Sequence, residues 1–392
     1  MSHPRNKPAV VREQSLAKAA SLPLARGGRY LVGTRVSAEA CGKAILIGEH
    51  AVLYGHPAVA VALPDLVLRL SILPSAGDDG PSSWDTAWQV ITVDGRRPLT
   101  AESRDLLTRC LAMALRDSSA DFELEGLNPQ PLRIESNFPM GAGLGGSASL
   151  CVAAVRLAEQ LARGGGEESK PAGDNGSAQP SSFFPGLARA ARLDQIFHGT
   201  ASGIDTATSF CGGLISAQGA GRARRFESLP NLQRFYIALV DSGSRSSTAD
   251  MVARLAGRRR DQPVFVGDKL ARLGALAEAS VRDLAGGRLA DLGERLNEAQ
   301  EHLCDLGMST PDLDRIVREM RELGALGAKL TGSGGGGFAL GIFRDYPEWV
   351  ESFLATKGAV YVSEVPAVSP VECERRTAIL RGGTPQGPTE RH

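Results

Sequence analysis

The sequence has no excess of either charge, no long apolar run and no paired cysteines. The 44 Lys and Arg balance the 44 Asp and Glu, so there is no overall basic field to hold nucleic acid or an acidic membrane. No apolar stretch approaches the roughly 18 residues of a membrane-spanning helix. Cys41, Cys110, Cys151, Cys211, Cys304 and Cys373 lie far apart and form no Cys-x-x-Cys pair. That argues against a disulfide scaffold or zinc knuckle and for small core residues in a reducing cytoplasm. The N-terminus lacks the apolar core of a signal peptide. Residues 1–29 set Arg5, Lys7, Arg12, Lys18, Arg26 and Arg29 against Glu13 alone. They read as a disordered tail rather than a transit peptide.

What is present fits a two-domain enzyme of strands and packed helices, α/β or α+β. The 392 residues are 42% hydrophobic and 22% charged, a balance that supports globular cores. Lys43-Ala-Ile-Leu-Ile47 and Ala58-Val-Ala-Val-Ala-Leu63 read as buried strands around a Tyr54-Gly-His-Pro57 turn. Ser103 can cap a helix whose apolar stripe is Leu107, Cys110, Leu111, Ala114 and Leu115. Residues 163–182 are rich in Gly, Ser and Pro and read as a flexible surface insertion. A helical stripe follows at Leu289, Leu292, Leu296, Ala299, Leu303 and Leu306. Another helix is expected from Thr310 as N-cap and Pro311 at the first position, with Leu313, Ile316, Val317, Met320 and Leu323 inward and Gly324 as its stop. Gly337 to Phe343 reads as a strand, with a helix near Glu348–Ala355 and a strand near Ala359–Ser363. The expected organisation is a tail to residue 29, a domain over 30–228, a second over 229–370 and a tail over 371–392.

Glycine is abundant, at 46 residues, and clustered. Pro139-Met-Gly-Ala-Gly-Leu-Gly-Gly-Ser-Ala-Ser149 runs from a strand-like Leu132–Glu135 straight into an apolar helix. Such a loop turns backbone N–H groups inward, and the helix start adds its dipole, so the segment suits a phosphate. It is not a Walker A loop, since no Gly-Lys-Ser/Thr follows. Ser147, at the helix start, can cap, touch phosphate or ligate Mg²⁺. Lys43 opens an apolar strand, where a lone ammonium needs an acidic partner unless the strand mouth is solvated. Glu49 and His50 stand at that strand's end, beside Gly48. Asp194 and Asp205 flank the turn His198-Gly-Thr-Ala-Ser-Gly-Ile-Asp205, a spacing open to a metal ligand and a base or to a surface charge and a helix cap. Lys329-Leu-Thr-Gly-Ser-Gly-Gly-Gly-Gly337 precedes the Phe338 strand as a second backbone cradle.

In order and spacing these four segments resemble the GHMP kinases, over roughly residues 35 to 365. The resemblance implies a ribosomal protein S5 domain 2-like N-terminal domain and a ferredoxin-like C-terminal domain with the active site between them. It implies ATP and Mg²⁺ as cofactors and phosphorylation of a small alcohol. The His-Gly-x-x-Ser-Gly-Ile-Asp form is that of members acting on mevalonate rather than on phosphomevalonate or homoserine. Another alcohol, or the decarboxylation of diphosphomevalonate on the same fold, stays open, as does a homodimer. By resemblance Asp205 is the acid beside the substrate hydroxyl and Lys43 its partner. Glu49, His50 and Thr248 lie on the substrate side. Pro139, Gly141, Ala142, Gly143, Leu144, Gly145, Gly146 and Ser147, with Gly332, Gly334 and Gly335, cradle the nucleotide. Ser147 and Asp194 are the expected Mg²⁺ ligands. The chain departs from the family at Asp194, where a glutamate is usual, and at Gly146, which replaces the first of a Ser-Ser pair. The arginine of Asp241-Ser-Gly-Ser-Arg245-Ser-Ser-Thr248 falls one place early and takes no role.

Overall fold

A computed structural model describes residues 35–73, 87–93, 95–118, 131–162, 183–198, 202–221, 224–349 and 359–380. The N-terminal unit contains β1 (Val36–Ile47), β2 (Ala58–Ile72), β3 (Trp88–Thr92), β4 (Gly95–Arg97), α1 (Ala101–Ser118), β5 (Leu132–Ser136), α2 (Gly146–Ala162), α3 (Phe183–His198), α4 (Ile204–Cys211), β6 (Leu214–Gln218) and β7 (Arg225–Leu229). Its sheet runs β4-β3-β5-β2-β6-β7, with β1 on the other edge of β2. β5 pairs with one half of β2 and β6 with the other.

The register of β1 against β2 jumps between Cys41 and Gly42, leaving Pro64 to Leu66 without partners on β1. Proline has no N–H to offer a ladder, so a bulge suits it. Asn137 completes the bulge: its Oδ1 accepts from Val67 N at 2.7 Å and its Nδ2 donates to Asp65 O at 2.8 Å. Beyond the jump, β1 changes from alternating burial to continuous burial. It lies against α2 and α4 on one side and against β9, α6 and α7 of the second unit on the other. This is why Lys43-Ala-Ile-Leu-Ile47 reads as an unbroken apolar run.

The C-terminal unit comprises β8 (Phe235–Asp241), α5 (Thr248–Asp261), α6 (Pro263–Ala285), α7 (Leu289–Asp305), α8 (Pro311–Glu322), β9 (Gly327–Thr331), β10 (Phe338–Phe343) and β11 (Val360–Val365). Its sheet is antiparallel with order β11-β8-β10-β9. Counted within the unit this is 4-1-3-2, the ferredoxin-like order that the sequence led us to expect. The edge strand β9 is covered by α7, whose Asn297 and Gln300 side chains accept from Ala328 N (3.1 Å) and Leu330 N (2.8 Å). Those N–H groups would otherwise form a bare sheet edge.

The expected stripes of α1, α7 and α8 are buried, except that Leu323 is half exposed as the C-cap of α8 before Gly324 at φ +93°. Thr310 caps α8 through Leu313 N as expected. At α1 the cap is Thr100, whose Oγ1 accepts from Ser103 N at 3.1 Å; Ser103 itself lies in the first turn. The boundary expected near 228 falls within β7. Part of the expected C-terminal tail is α9 (Pro370–Leu380), which returns to pack on β7, with Thr377 Oγ1 accepting from Ser228 N. Residues 1–34, the insertion 163–182 and most of the helix expected near Glu348–Ala355 lie outside the described residues.

Candidate active site between the two units

At the register jump in β1 the carbonyl of Cys41 accepts from Ser149 Oγ (2.8 Å) on α2 and Ser209 Oγ (2.7 Å) on α4. Arg156 on α2 adds bonds to Glu39 O (2.6 Å) and Phe210 O (2.9 Å). Two helices are thereby fixed beside Lys43, and the start of each carries a candidate site residue: Ser147 on α2 and Asp205 on α4. Asp205 lies in the first turn of α4, where the helix dipole favours a carboxylate.

Lys43 Nζ lies 3.0 Å from Asp205 Oδ2 and donates to Gly143 O at 3.2 Å. The lysine side chain is 4% exposed and the aspartate 37%, so the ammonium stands below the floor and the carboxylate faces the opening. Lys43 can lie there because Gly145, at φ +80°, has no Cβ: one built on it would stand 2.8 Å from Lys43 Cγ. The expected partner of a buried lysine is therefore present.

A cleft of about 450 Å³ opens above this pair. Its walls include Lys43, Glu49, His50, Asp205, Thr248, Gly141, Gly143, Gly145, Gly146, Ser147, Gly332 and Ser333, with an apolar end formed by Val90, Leu99, Leu106, Leu107, Ile134 and Phe197. Most of the candidate residues thus meet in one place. Pro139, Ala142, Leu144, Gly334 and Gly335 shape the two loops without lining the cleft. Gly141, Gly143 and Gly145 all take positive φ, so the loop curls ahead of α2 as an anion cradle requires. The second cradle meets the first directly: a Cβ on Gly337 would lie 3.3 Å from Ala142 O, and one on Gly332 3.8 Å from Gly143 Cα.

Glu49 and His50 both line the cleft, as expected of the substrate-side pair, and each already has a partner in the second unit. Glu49 is buried and its Oε1 is paired with Lys329 Nζ. Its Oε2 is buried without a hydrogen-bond partner in the protein. Burial raises the Glu49 carboxyl above its usual range, against the pull of Lys329 and, more weakly, Lys43. His50 adopts φ 59°, ψ −44°, and Ala51 N bonds Glu49 O across it at 2.6 Å. This is a γ-turn of the rare positive-φ hand, a strained conformation. The ring Nε2 donates to Ser333 O at 2.9 Å. Burial lowers the His50 pKa, so the ring is a neutral donor committed to the second cradle. Thr248, the first residue of α5, has its hydroxyl 3.4 Å from Ser333 Oγ at the cleft wall.

Asp194 is buried on α3, and its Oδ2 accepts from Thr206 Oγ1 at 3.2 Å. It does not line the cleft. Burial, then the Cys110 thiol and then the Asp194 charge push the Cys151 thiol up. Cys151 lies one helical turn beyond Ser147 on α2, the helix against which α3 packs. Among the described residues no three His, Cys, Asp or Glu cluster as a metal cage. Mg²⁺ needs none, because it is commonly held by one or two carboxylates, substrate phosphates and water.

Sequence reading missed the supporting groups. Arg224 joins three loops, bonding Ser202 O, Val52 O (2.8 Å) and Gly219 O (3.2 Å). Thr331 Oγ1 accepts from Ile45 N (3.0 Å) and donates to Ile45 O (2.9 Å). Neither stands in a pattern that spacing could reveal. Lys329 was visible as the start of the last glycine segment, but without a partner. Arg245 is held by a bidentate pair with Asp241 (2.6 Å) and lies over the Phe338 ring, outside the cleft wall.

A two-unit fold with two apposed glycine cradles and a Lys–Asp pair in the cleft between them defines a phosphoryl-transfer architecture. Residues 105–213 match the GHMP kinases N terminal domain and residues 276–359 the GHMP kinases C terminal region. The chain belongs to the GHMP kinase family. It is 34% identical over 302 residues to a mevalonate kinase of Methanothermobacter thermautotrophicus, covering 77% of this chain and 88% of the relative. It is 30% identical over 321 residues to a mevalonate kinase of Pyrococcus horikoshii, covering 77% and 87%. The fold is similar to that of the L. major mevalonate kinase solved in complex with R-mevalonate, with TM-score 0.66, 24% identity and coverage of 85% of this chain and 96% of that one.

Proposed function

We propose that the protein transfers the γ-phosphoryl group of ATP to the primary hydroxyl of mevalonate, giving 5-phosphomevalonate and ADP. The observation that carries this reading is the Lys43–Asp205 pair at 3.0 Å, set beneath the cleft where the two glycine cradles meet. Phosphoryl transfer relies on positioning and charge stabilisation more than on covalent chemistry. Asp205 is exposed enough to reach a bound alcohol and accepts its proton. Lys43, buried beside it, stabilises the alkoxide as it forms. The loop Gly141–Ser147 holds the nucleotide phosphates, and the apolar end of the cleft takes the base. Thr248 contacts the alcohol substrate.

Ser147 and Asp194 are the residues that fit Mg²⁺, which would neutralise phosphate charge when bound. Asp194 is shorter than glutamate and already accepts from Thr206, which favours contact through water, a mode Mg²⁺ accepts readily. We place the reaction in the cytoplasm. The six cysteines are all free, and no helix among the described residues is long and apolar enough to cross a membrane.

The test is ADP release by purified protein given MgATP and a panel of alcohols: mevalonate, phosphomevalonate, homoserine and a hexose. Mevalonate is expected to dominate. Turnover of a different alcohol with none of mevalonate refutes the substrate and leaves the family intact. CO₂ release from diphosphomevalonate would identify a decarboxylase instead.

A further inference from the structure

Lys329, Thr331 and Ser333 are spaced two apart where β9 runs into the second cradle, and each reaches the same stretch of the N-terminal unit. In a strand, residues two apart share a face. Lys329 Nζ pairs with Glu49, Thr331 Oγ1 brackets both backbone groups of Ile45, and Ser333 O receives His50 Nε2. Ile45, Glu49 and His50 all lie at the end of β1 and the turn that follows it. The backbone edge of β9 away from β10 is tied down by Asn297 and Gln300. The strand is therefore gripped from both sides, and the loop 332–337 projects from it over the first cradle.

Two features make this contact more than ordinary packing. The Lys329–Glu49 pair is completely buried, and a buried ion pair is poor value for stability alone, since apolar residues of similar volume often do as well. The residue beside it, His50, is held in a strained γ-turn. Strain of that kind persists only when its surroundings over-determine it, and it gathers at functional sites.

We propose that Lys329 is a positioning residue: through Glu49 it clamps the root of the loop 332–337 to the end of β1, and so holds the second glycine cradle against the first. The ammonium itself does not touch substrate, because it is fully buried and does not line the cleft. Its effect passes through the backbone. Once the Lys329 anchor is lost, Ser333 O leaves His50, the γ-turn relaxes, and the loop no longer stands over Gly143. This rests on the phosphoryl-transfer reading of the cleft for its kinetic consequence, but not for its structural one.

Lys329→Met by itself leaves Glu49 buried and uncompensated, and such a variant risks failing to fold. The informative protein is Lys329→Met with Glu49→Gln, which removes both charges, compared with wild type and with Glu49→Gln alone. Two readouts do not depend on activity. One is hydrogen exchange of the amides of residues 332–337, with those of α1 as internal control. The other is the His50 imidazole titration followed by NMR. Lys329, Glu49 and Lys43 are the charged groups facing His50 and Glu49, and the first two are changed in the double variant.

We expect the double variant to fold, to exchange the 332–337 amides at least about tenfold faster than wild type with α1 unchanged, and to titrate His50 nearer its ordinary value. In the kinetic assay it should lose about 10–100-fold in kcat and raise KM for ATP relative to Glu49→Gln alone, the scale of an approximately 1 Å misplacement. If loop exchange and kinetics both match Glu49→Gln, Lys329 merely balances a charge and the proposal is overturned, even with a shifted His50 titration, because the Lys329 charge acts on the ring directly. If wild type itself turns over no alcohol, the functional reading fails, while the exchange result still decides the clamp.

Discussion

Replacing Gly145 with alanine should cripple the reaction without unfolding the protein. Gly145 sits at φ +80°, and a Cβ there would lie 2.8 Å from Lys43 Cγ and 3.1 Å from Cε. These are middle atoms of the side chain, and Lys43 cannot retreat as a whole. Its backbone N donates to Leu144 O at 3.0 Å, and its side chain is 4% exposed. A left-handed conformation costs an alanine about 1–2 kcal/mol, and overpacking one methylene in a filled site about 1–3 kcal/mol. Together these are roughly 2–5 kcal/mol if nothing moves, which would lower Tm by about 4–20 °C at 2–4 °C per kcal/mol for a unit of this size. The relief available is to swing the lysine stem away, and that withdraws Nζ from Asp205 and from Gly143 O. Part of the strain is then converted into misplaced chemistry. A shift of about 1 Å in a catalytic group is worth about 100-fold in rate. The expected Gly145→Ala protein therefore melts a few degrees below wild type and has kcat down by about two orders of magnitude, with KM for ATP less affected. Steady-state kinetics with mevalonate and a thermal melt measure both. A variant with wild-type kcat would show that the path of Lys43 through this gap does not matter, and the argument for the Lys–Asp pair would fail with it.

Asp205→Asn should lose at least about 100-fold in turnover, the lower scale for a lost general base, with nucleotide binding by fluorescence titration little changed; activity within a few-fold of wild type would end its role as base. Asp194→Ala should raise the free Mg²⁺ needed for half-maximal rate and lower kcat at saturating ATP, while Asp194→Glu stays active; an unaltered Mg²⁺ dependence in the alanine variant would reduce Asp194 to a structural carboxylate that holds Thr206. His50 bears on stability against pH. Burial depresses its folded-state pKa, so the unfolded chain binds more protons once pH falls through about 6.5, and the stability present above that value is lost on going down towards the folded pKa. His50→Asn, which keeps a residue tolerant of positive φ, should flatten the fall in the urea midpoint between about pH 7 and pH 5; an unchanged slope would mean that another group sets it.

How much of this was legible beforehand differs from residue to residue. The apolar stripes of α1, α7 and α8 and the run after Lys43 could be read directly, because burial of one helix face or of a whole strand writes a period into the chain. The loop at Gly141–Ser147 was legible for a similar local reason: a turn that needs positive φ calls for glycine wherever it occurs. The pairing of Lys43 with Asp205 was implied by the resemblance, and burial arguments alone required only some acid.

The sequence by itself determined these local choices and the family to which they belong. The tertiary structure alone decided which distant groups meet. Glu49 reads as a carboxylate at a strand end with no partner named, yet β9 brings Lys329, 280 residues away, onto it. His50 reads as a residue on the substrate side with no partner named, yet burial lowers its pKa and Ser333 O accepts a hydrogen bond from its Nε2. Asp194 reads as a carboxylate free to take a metal, yet Thr206 on α4 already donates to it, which sets how it can reach an ion. The residues at 371–380 read as a tail, yet they fold back as a helix on β7. In each case the deciding term is desolvation or a partner far along the chain. Neither has a period or a spacing, so neither leaves a mark in sequence until the two units close on one another.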